Sequence, residues 1–142
     1  IYNMGFEAGV SAWNRFLNPG GKLIVSEITW LSATRPIDLQ SHWEREYPEI
    51  DVASSKIGIL ERHGYSPEAY FFLPTHCWLE NYYRPLQSRL DEFLERHSQS
   101  DQAKAIVEAE KNEIALYERY SDYYSYGVYV AKKLVTETSG NG

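Results

Sequence analysis

The stretch of the chain from Asn18 to Trp30 reads NPGGKLIVSEITW. Within it, Leu23–Val25 is a short continuous apolar run that follows a Pro-Gly-Gly turn and precedes more polar residues. Runs of this kind are typical of strands that are covered on both faces, as in the middle of an α/β sheet. We therefore expect a buried strand here and an α/β fold.

A helical pattern precedes this strand. Its apolar positions have the spacing of one helix face: Phe6, Val10, Trp13 and Leu17. The turn at Pro19–Gly21 ends this helix, because proline cannot continue it and glycine accepts a positive φ. Ligands in open α/β sheets lie beyond the carboxyl ends of strands, so the side chains from Ser26 to Trp30 are the first candidates for a site.

The order of helix, Pro-Gly-Gly turn and Leu-Ile-Val-Ser-Glu strand resembles the fourth helix and fifth strand of class I S-adenosylmethionine-dependent methyltransferases. The opening segment IYNMGFE, residues 1–7, is similar to the segment after the fourth strand in the small-molecule branch of that family. The resemblance implies the C-terminal part of a Rossmann-like fold. It implies a three-stranded mixed sheet, ordered fifth–seventh–sixth with the seventh strand antiparallel, flanking helices and an inserted helical hairpin. The implied reaction is methyl transfer to a small-molecule acceptor.

The cofactor motif of that family is absent from the sequence, which contains no G-x-G-x-x-G. The resemblance places this loop in an N-terminal half that would bind most of the S-adenosylmethionine. We therefore expect a C-terminal fragment with no cofactor-binding residues of its own, inactive when isolated. The chain begins at Ile1 without an initiator methionine, which agrees with this expectation.

Composition excludes several other classes of protein. The chain has 142 residues, a net charge of −6 and no lysine- or arginine-rich run, so a basic nucleic-acid-binding patch is not expected. Its apolar runs are shorter than the roughly 18 residues of a membrane span. The single Cys77 excludes an internal disulfide and a multi-cysteine zinc site, and it fits a cytoplasmic location.

The rest of the chain predicts alternating elements. We expect a helix at 36–47, a second helix with Asp51 as N-cap that ends before Gly64, and an edge strand at 65–73 that contains Pro67. A helical hairpin follows at about 78–124, with one helix at 78–97 and another that has Asp101 as N-cap. The final strand is predicted at 126–134, inside a methyltransferase portion that spans 1–135, and 136–142 form a polar tail.

The candidate substrate-binding residues lie near the predicted strand ends, and we assign no catalytic residue. Glu27 would bind a substrate amine or act as a base, with a solvated or helix-capping carboxylate as an equal alternative. The resemblance implies that Tyr2 and Asn3 line the substrate site, against the alternative of simple helix entry. Trp30 is a further candidate at the strand end. Trp78 would contribute to a pocket wall, while neighbouring His76 and Cys77 lack the spaced partners of a metal site.

The edge of the Leu23–Val25 strand raises a separate expectation. The fourth strand that would pair with it in the complete fold is missing, so an exposed apolar edge results. A partner chain or a homodimer is expected to cover it. An alternative to the enzyme is a stand-alone α/β ligand-binding or dimerisation module, which the 12 tyrosines would suit by forming an aromatic pocket.

Overall fold

The structure is a computed structural model that describes residues 3–135. Tyr2 and the predicted polar tail at 136–142 lie outside the described residues. The chain divides into two compact units. The first comprises Ile1–Phe72 with Tyr123–Gly142 and contains the sheet, and the second comprises Leu73–Asp122 and is helical.

The first unit contains a four-stranded mixed sheet. Its elements in chain order are α1 Phe6–Asn14, β1 Lys22–Trp30, α2 Ile37–Glu46, β2 Asp51–Val52, α3 Ala53–Arg62, β3 Tyr65–Phe72 and β4 Tyr124–Lys133. The strand order is β2-β1-β4-β3, with β4 antiparallel to both neighbours and β2 parallel to β1. The three predicted strands are therefore adjacent in the expected order, with the last one antiparallel.

The predicted count of three strands is wrong because β2 also joins the sheet. Asp51 pairs with Thr29 and Val52 with Trp30, at the carboxyl end of β1. Asp51 is consequently part of a strand and does not cap α3. Val52, in an extended conformation, precedes that helix without a side-chain cap. A two-residue strand has no periodicity of its own, so only its pairing with β1 defines it.

The core of the first unit lies between the sheet and helices α1 and α3. Phe6 and Val10 of α1 are fully buried, and they pack with further buried residues from the strands and α3: Leu23, Val25, Leu60, Tyr65, Tyr129 and Ala131. Burial of each large apolar side chain contributes about 1.5–3 kcal/mol. This packing fixes α1 and α3 against one face of β1 and β4.

The end of α1 is held by the last residue of β4. The helix ends at Asn14, earlier than the apolar pattern to Leu17 predicts, and the chain then turns. The Lys133 ammonium donates to the carbonyl oxygens of Asn14 and Leu17 at 2.7 and 2.8 Å. Gly20 in the turn has a φ of 77°, which favours glycine. The Pro-Gly-Gly stretch thus forms the expected turn.

Strand β1 is covered on both faces only at its carboxyl end. Along its first half, exposure alternates: Leu23 and Val25 are buried, whereas the side chain of Ile24 is 68% exposed. From Glu27 to Trp30 every residue is buried. The expectation of a strand covered on both faces is therefore wrong for Leu23–Val25, because the described residues place helices on one side of it.

Strand β3 lies at the edge of the sheet, as Pro67 predicts. The pairing of β3 with β4 is irregular between Pro67 and Ala69, where a β-bulge shifts the register. Proline has no amide hydrogen to donate to a ladder, so an edge strand or a bulge accommodates it. The strand ends at Phe72, and β4 begins at Tyr124, two residues before the predicted start.

The second unit is built from short helices followed by one long helix. The short ones are α4 Thr75–Trp78, a π-helix at Leu79–Tyr83, α5 Arg84–Gln87 and α6 Leu90–Arg96; the long one is α7 Asp101–Tyr120. The single helix expected at 78–97 is therefore broken. The N-cap of α7 is Ser100, whose hydroxyl accepts the amide hydrogen of Ala103 at 3.3 Å, so Asp101 is the first helical residue and not the cap.

None of the helices within residues 3–135 is long and apolar enough to cross a membrane. Across the same residues, no group of three or more histidine, cysteine, aspartate or glutamate side chains is arranged to hold a metal ion.

Candidate functional site

A buried polar cluster lies in the carboxyl-terminal half of β1. Successive side chains of a strand point to opposite faces, so Glu27 shares a face with Leu23 and Val25, which pack in the core. Only 1% of the Glu27 side chain is exposed. A carboxylate in such a place is expensive unless it is paired and hydrogen-bonded, so its partners define what this site can do.

Two side chains from other elements contact Glu27 at the same oxygen. Lys56 of α3 places its ammonium 3.2 Å from Glu27 Oε1, and both side chains are 1% exposed. Tyr47, directly after α2, donates its hydroxyl hydrogen to the same oxygen at 2.6 Å. Glu27 is therefore a buried member of an ion pair. Neither alternative raised for it, a solvated or a helix-capping carboxylate, describes its surroundings.

Lys56 has three distinct partners. Its ammonium donates to the backbone carbonyl of Glu49 at 2.6 Å, in addition to its bond with Glu27. It also lies 4.9 Å from the centre of the Phe6 ring, which is within the range of a cation–π interaction. A buried ion pair offsets its desolvation cost only when further contacts of this kind satisfy both groups, and here they do.

Glu49 connects this cluster to the start of α1. Its Oε2 accepts the backbone amide hydrogen of Phe6 at 2.8 Å, which places a carboxylate at the helix N-terminus, where it is favoured. Gly5, just before the helix, has φ 81° and ψ 149°, a conformation open almost only to glycine. A Cβ on Gly5 would overlap the Glu49 carboxylate. The cluster therefore fixes the conformation of the segment that enters α1.

Two further hydroxyl groups, those of Thr29 and Tyr129, lie beside Glu27. Thr29 donates its hydroxyl hydrogen to the backbone carbonyl of Glu27 at 2.8 Å, and its oxygen lies 2.9 Å from the Tyr129 hydroxyl. Burial raises the pKa of Tyr129 to about 12, with the Glu27 charge adding to the effect. Burial likewise raises the pKa of Tyr47, together with its hydrogen bond to Glu27. Both phenols therefore stay protonated and act as hydrogen-bonding groups.

An aromatic cluster lies at the end of β1. Trp30, the last residue of the strand, is 3% exposed and contacts Tyr124 of β4 edge-on, with ring centres 6.3 Å apart. Tyr124 in turn contacts Trp43 of α2 at 5.2 Å. The Arg35 guanidinium covers the Trp30 ring at 4.4 Å. We call these four residues the Trp30 cluster.

The predicted site residues are distributed over both units. Glu27 and Trp30 lie in the buried clusters just described. Asn3 lies exposed in the turn before Gly5, and Tyr2 falls outside the described residues. Trp78 belongs to the helical unit, where it is buried and stacks on Tyr117 with ring centres 4.5 Å apart. A substrate-binding role for each of these residues stays a prediction.

Three residues of the polar cluster were missed by sequence reasoning. Lys56 carried one usable signal, because it lies four residues before Leu60 on the core face of α3. A lysine at such a position needs a buried partner. Tyr47 was expected only as the last residue of the helix at 36–47, and Glu49 gave no signal at all. Their roles depend on contacts between residues far apart in the sequence.

The described residues do not by themselves fit an adenosyl cofactor. The N-terminus of α1 is already occupied by the Glu49 carboxylate. The polar groups of Glu27 and Lys56 bond to each other and to neighbouring groups. No glycine-rich loop is present in the sequence to approach a nucleotide closely. The polar cluster positions backbone segments around the end of β1, and no step of a reaction is assigned to it.

Comparison of the fold with solved structures finds several methyltransferases with a similar fold. A S-adenosylmethionine-dependent methyltransferase from Geobacter sulfurreducens, in complex with S-adenosyl-L-homocysteine, matches 89% of this chain with a TM-score of 0.72 and 17% identity. Phosphoethanolamine N-methyltransferase 2 of Haemonchus contortus, in complex with S-adenosyl-L-methionine, matches 91% with a TM-score of 0.68 and 14% identity. The chain has a methyltransferase-like fold.

The same comparison limits what the fold implies. The [4+2]-cyclase SpnF also matches, over 91% of this chain with a TM-score of 0.64 and 18% identity. The chain spans 51%, 30% and 44% of the lengths of these three neighbours, about half or less. No protein-family model and no curated protein matches the sequence. One fold can support different reactions, so activity needs its own argument.

Proposed function

We propose that the chain is part of an S-adenosylmethionine-dependent methyltransferase that transfers a methyl group to a small-molecule acceptor. The observation that carries the proposal is the methyltransferase-like fold, matched by neighbours in complex with S-adenosylmethionine or its demethylated product. The absence of the glycine-rich motif from this sequence supports the second part of the proposal. We propose that this chain contributes residues to the substrate pocket, while the rest of a longer protein holds the cofactor.

The proposed contribution of this chain is positional. Methyl transfer depends mainly on holding donor and acceptor in line at short range, so it needs no strong catalytic motif here. The Glu27–Lys56 pair and Glu49 fix the backbone that enters α1. Asn3 precedes that helix, and with Tyr2 it is the proposed contact to the acceptor. The bound cofactor would supply the activated methyl group.

Methyl transfer from isotopically labelled S-adenosylmethionine tests this proposal. The full-length protein, incubated with a mixture of small metabolites, is expected to move label into the small-molecule fraction, whereas the 142-residue chain is not. A Gly5→Ala variant should lower turnover more than Gly58→Ala, since only Gly5 adjoins the Glu49 carboxylate. Absence of label in any product from full-length protein that is folded would contradict the methyltransferase proposal.

A non-enzymatic alternative is favoured by one observation. Ile24 is 68% exposed, and within residues 3–135 only Thr29 and Trp30 of β1 pair with β2 on the side away from β4. A dimerisation module would cover this edge with a second copy, and the same covering is our proposal for a homodimer of the enzyme. Light scattering decides the point: twice the chain mass supports dimerisation, and a monomer at all concentrations excludes it.

The proposed location of the enzyme remains the cytoplasm.

A further inference from the structure

The guanidinium of Arg35 lacks a carboxylate partner among residues 3–135. Its Nη1 donates to the backbone carbonyls of Ser32 and Ala33, each at 3.2 Å, and its plane lies over the Trp30 ring. These contacts hold the group in one orientation. The opposite edge, formed by Nε and Nη2, has no hydrogen-bond partner in the described part of the chain, although Nε is buried.

A second donor of the same cluster is also without an acceptor. The indole nitrogen Nε1 of Trp43 is buried and makes no hydrogen bond with any described residue. Its ring contacts Tyr124, which contacts Trp30, so both donors belong to the Trp30 cluster. Nearly all buried polar groups in folded proteins have a partner, and an exception calls for a missing acceptor. Here a positive charge and two buried N–H groups lack one.

The free edge of Arg35 restricts the chemistry of that acceptor. Arginine offers two parallel N–H donors along one edge, which match the two oxygens of a carboxylate or phosphate. A neutral carbonyl would leave the guanidinium charge unpaired. The location is also one where ligands bind in open α/β sheets, directly beyond the carboxyl end of a strand.

We propose that Arg35 and Trp43, arranged around Trp30 and Tyr124, form a binding site for an oxyanion, a carboxylate or a phosphate group. The assignment of this group to the methyl acceptor rests on the proposed function. In this proposal the anion accepts hydrogen bonds from the Nε–Nη2 edge of Arg35 and from Trp43 Nε1, and the surrounding side chains move to admit it, because Arg35 Nε and Trp43 Nε1 are buried. Trp30 holds the guanidinium in place through the cation–π contact.

The indole N–H signals of the protein report directly on this site. In 15N-labelled full-length protein, Trp43→Phe identifies the Trp43 signal and Trp13→Phe the signal of a tryptophan in α1 outside the cluster. Titration with inorganic phosphate, and separately with acetate, is compared with chloride at the same ionic strength. We expect a downfield shift of the Trp43 signal that saturates, while the Trp13 signal stays in place. A shift of the Trp43 signal by only one of the two anions would still support the site and would identify its ligand class.

Two substitutions supply the controls. Arg35→Lys keeps the charge but loses the flat edge, and it should raise the apparent dissociation constant by at least about tenfold. Arg45→Gln removes one positive charge from an exposed side chain of α2 and should have no such effect. Preserved positions of the other indole signals show that each variant is folded.

The proposal is overturned if neither anion moves the Trp43 signal, or if the shift is unchanged in folded Arg35→Lys. This outcome is separate from the proposed function. If the full-length protein does not bind S-adenosylhomocysteine, the methyltransferase role is contradicted and the oxyanion site is unaffected. If neither anion shifts the Trp43 signal, only the oxyanion site is contradicted.

Discussion

The ammonium of Lys56 lies 3.2 Å from the carboxylate of Glu27, and both side chains are 1% exposed. The two residues come from α3 and β1, so the pair joins a helix to the strand at which the site is built. The cost of removing two charges from water makes such a pair weak evidence for stability by itself. Its further bonds to Tyr47 and to the Glu49 carbonyl tie three chain segments together.

Removal of the lysine charge should be strongly destabilising. In Lys56→Met, the Glu27 carboxylate stays buried without its counter-charge, so we expect a loss of about 3–5 kcal/mol in the free energy of unfolding. Urea denaturation measures this loss. The double variant Glu27→Gln/Lys56→Met should be more stable than Lys56→Met alone, because no uncompensated charge is then left in the core.

Lys22→Met is the matched control for this experiment. Lys22 forms an ion pair with Glu68, but its side chain is 54% exposed, so the change should cost at most about 1 kcal/mol. Equal losses for Lys22→Met and Lys56→Met would contradict the special position of the buried pair.

Alanine substitutions at two glycines should change the stability of the protein in opposite directions. Gly5→Ala forces a Cβ into a backbone conformation nearly restricted to glycine and against the Glu49 carboxylate, which should cost about 1–3 kcal/mol. Gly58 lies within α3, where a Cβ would meet only Arg62 Nη1 at 3.7 Å. Gly58→Ala should therefore stabilise the protein by about 0.5–1 kcal/mol. Thermal unfolding of both variants checks the prediction, and stabilisation by Gly5→Ala would refute it.

Alkaline pH should destabilise the protein through Tyr129. Its pKa is raised by burial to about 12, whereas tyrosine in the unfolded chain titrates near 10. Between these values the unfolded state has lost a proton that the folded state retains, so stability falls as the pH rises. Tyr129→Phe should reduce this fall by up to about 3 kcal/mol, as measured by urea denaturation across the range.

The cap of the long helix α7 offers a simple local test. Ser100→Ala removes the hydroxyl that accepts the Ala103 amide hydrogen and should cost about 1 kcal/mol. Ser100→Asp, which retains an acceptor oxygen, should preserve stability. Circular dichroism during thermal unfolding follows the helix. If Ser100→Asp loses as much as Ser100→Ala, the cap is not formed by this side chain.

Local signals explain the parts of the fold that were predictable from sequence. The Pro-Gly-Gly turn and the apolar run at Leu23–Val25 depend only on neighbouring residues, and they form the turn and β1 as expected. Pro67 predicted an edge strand, since proline cannot donate to a ladder. By contrast, β2 exists only through its pairing with Thr29 and Trp30, so no local pattern could reveal it.

The candidate site was predictable only in its location. The end of β1 was expected to carry polar residues, and Glu27 lies there in a buried cluster. Its partners Tyr47 and Lys56 are 20 and 29 residues away in the chain, so their contacts are decided by tertiary packing. Likewise, no pattern indicated that the Arg35 guanidinium would lie on the Trp30 ring.

The most direct test of the proposed methyltransferase is calorimetric titration of S-adenosylhomocysteine, performed side by side on the 142-residue chain and on the longer, full-length protein of which we propose that it is a part. We predict saturable binding by the full-length protein and none by the chain alone, because the described residues do not fit the cofactor. Binding by the isolated chain would contradict the placement of the cofactor outside these residues. Absence of binding by both would contradict the methyltransferase proposal and favour a ligand-binding or dimerisation module with the same fold.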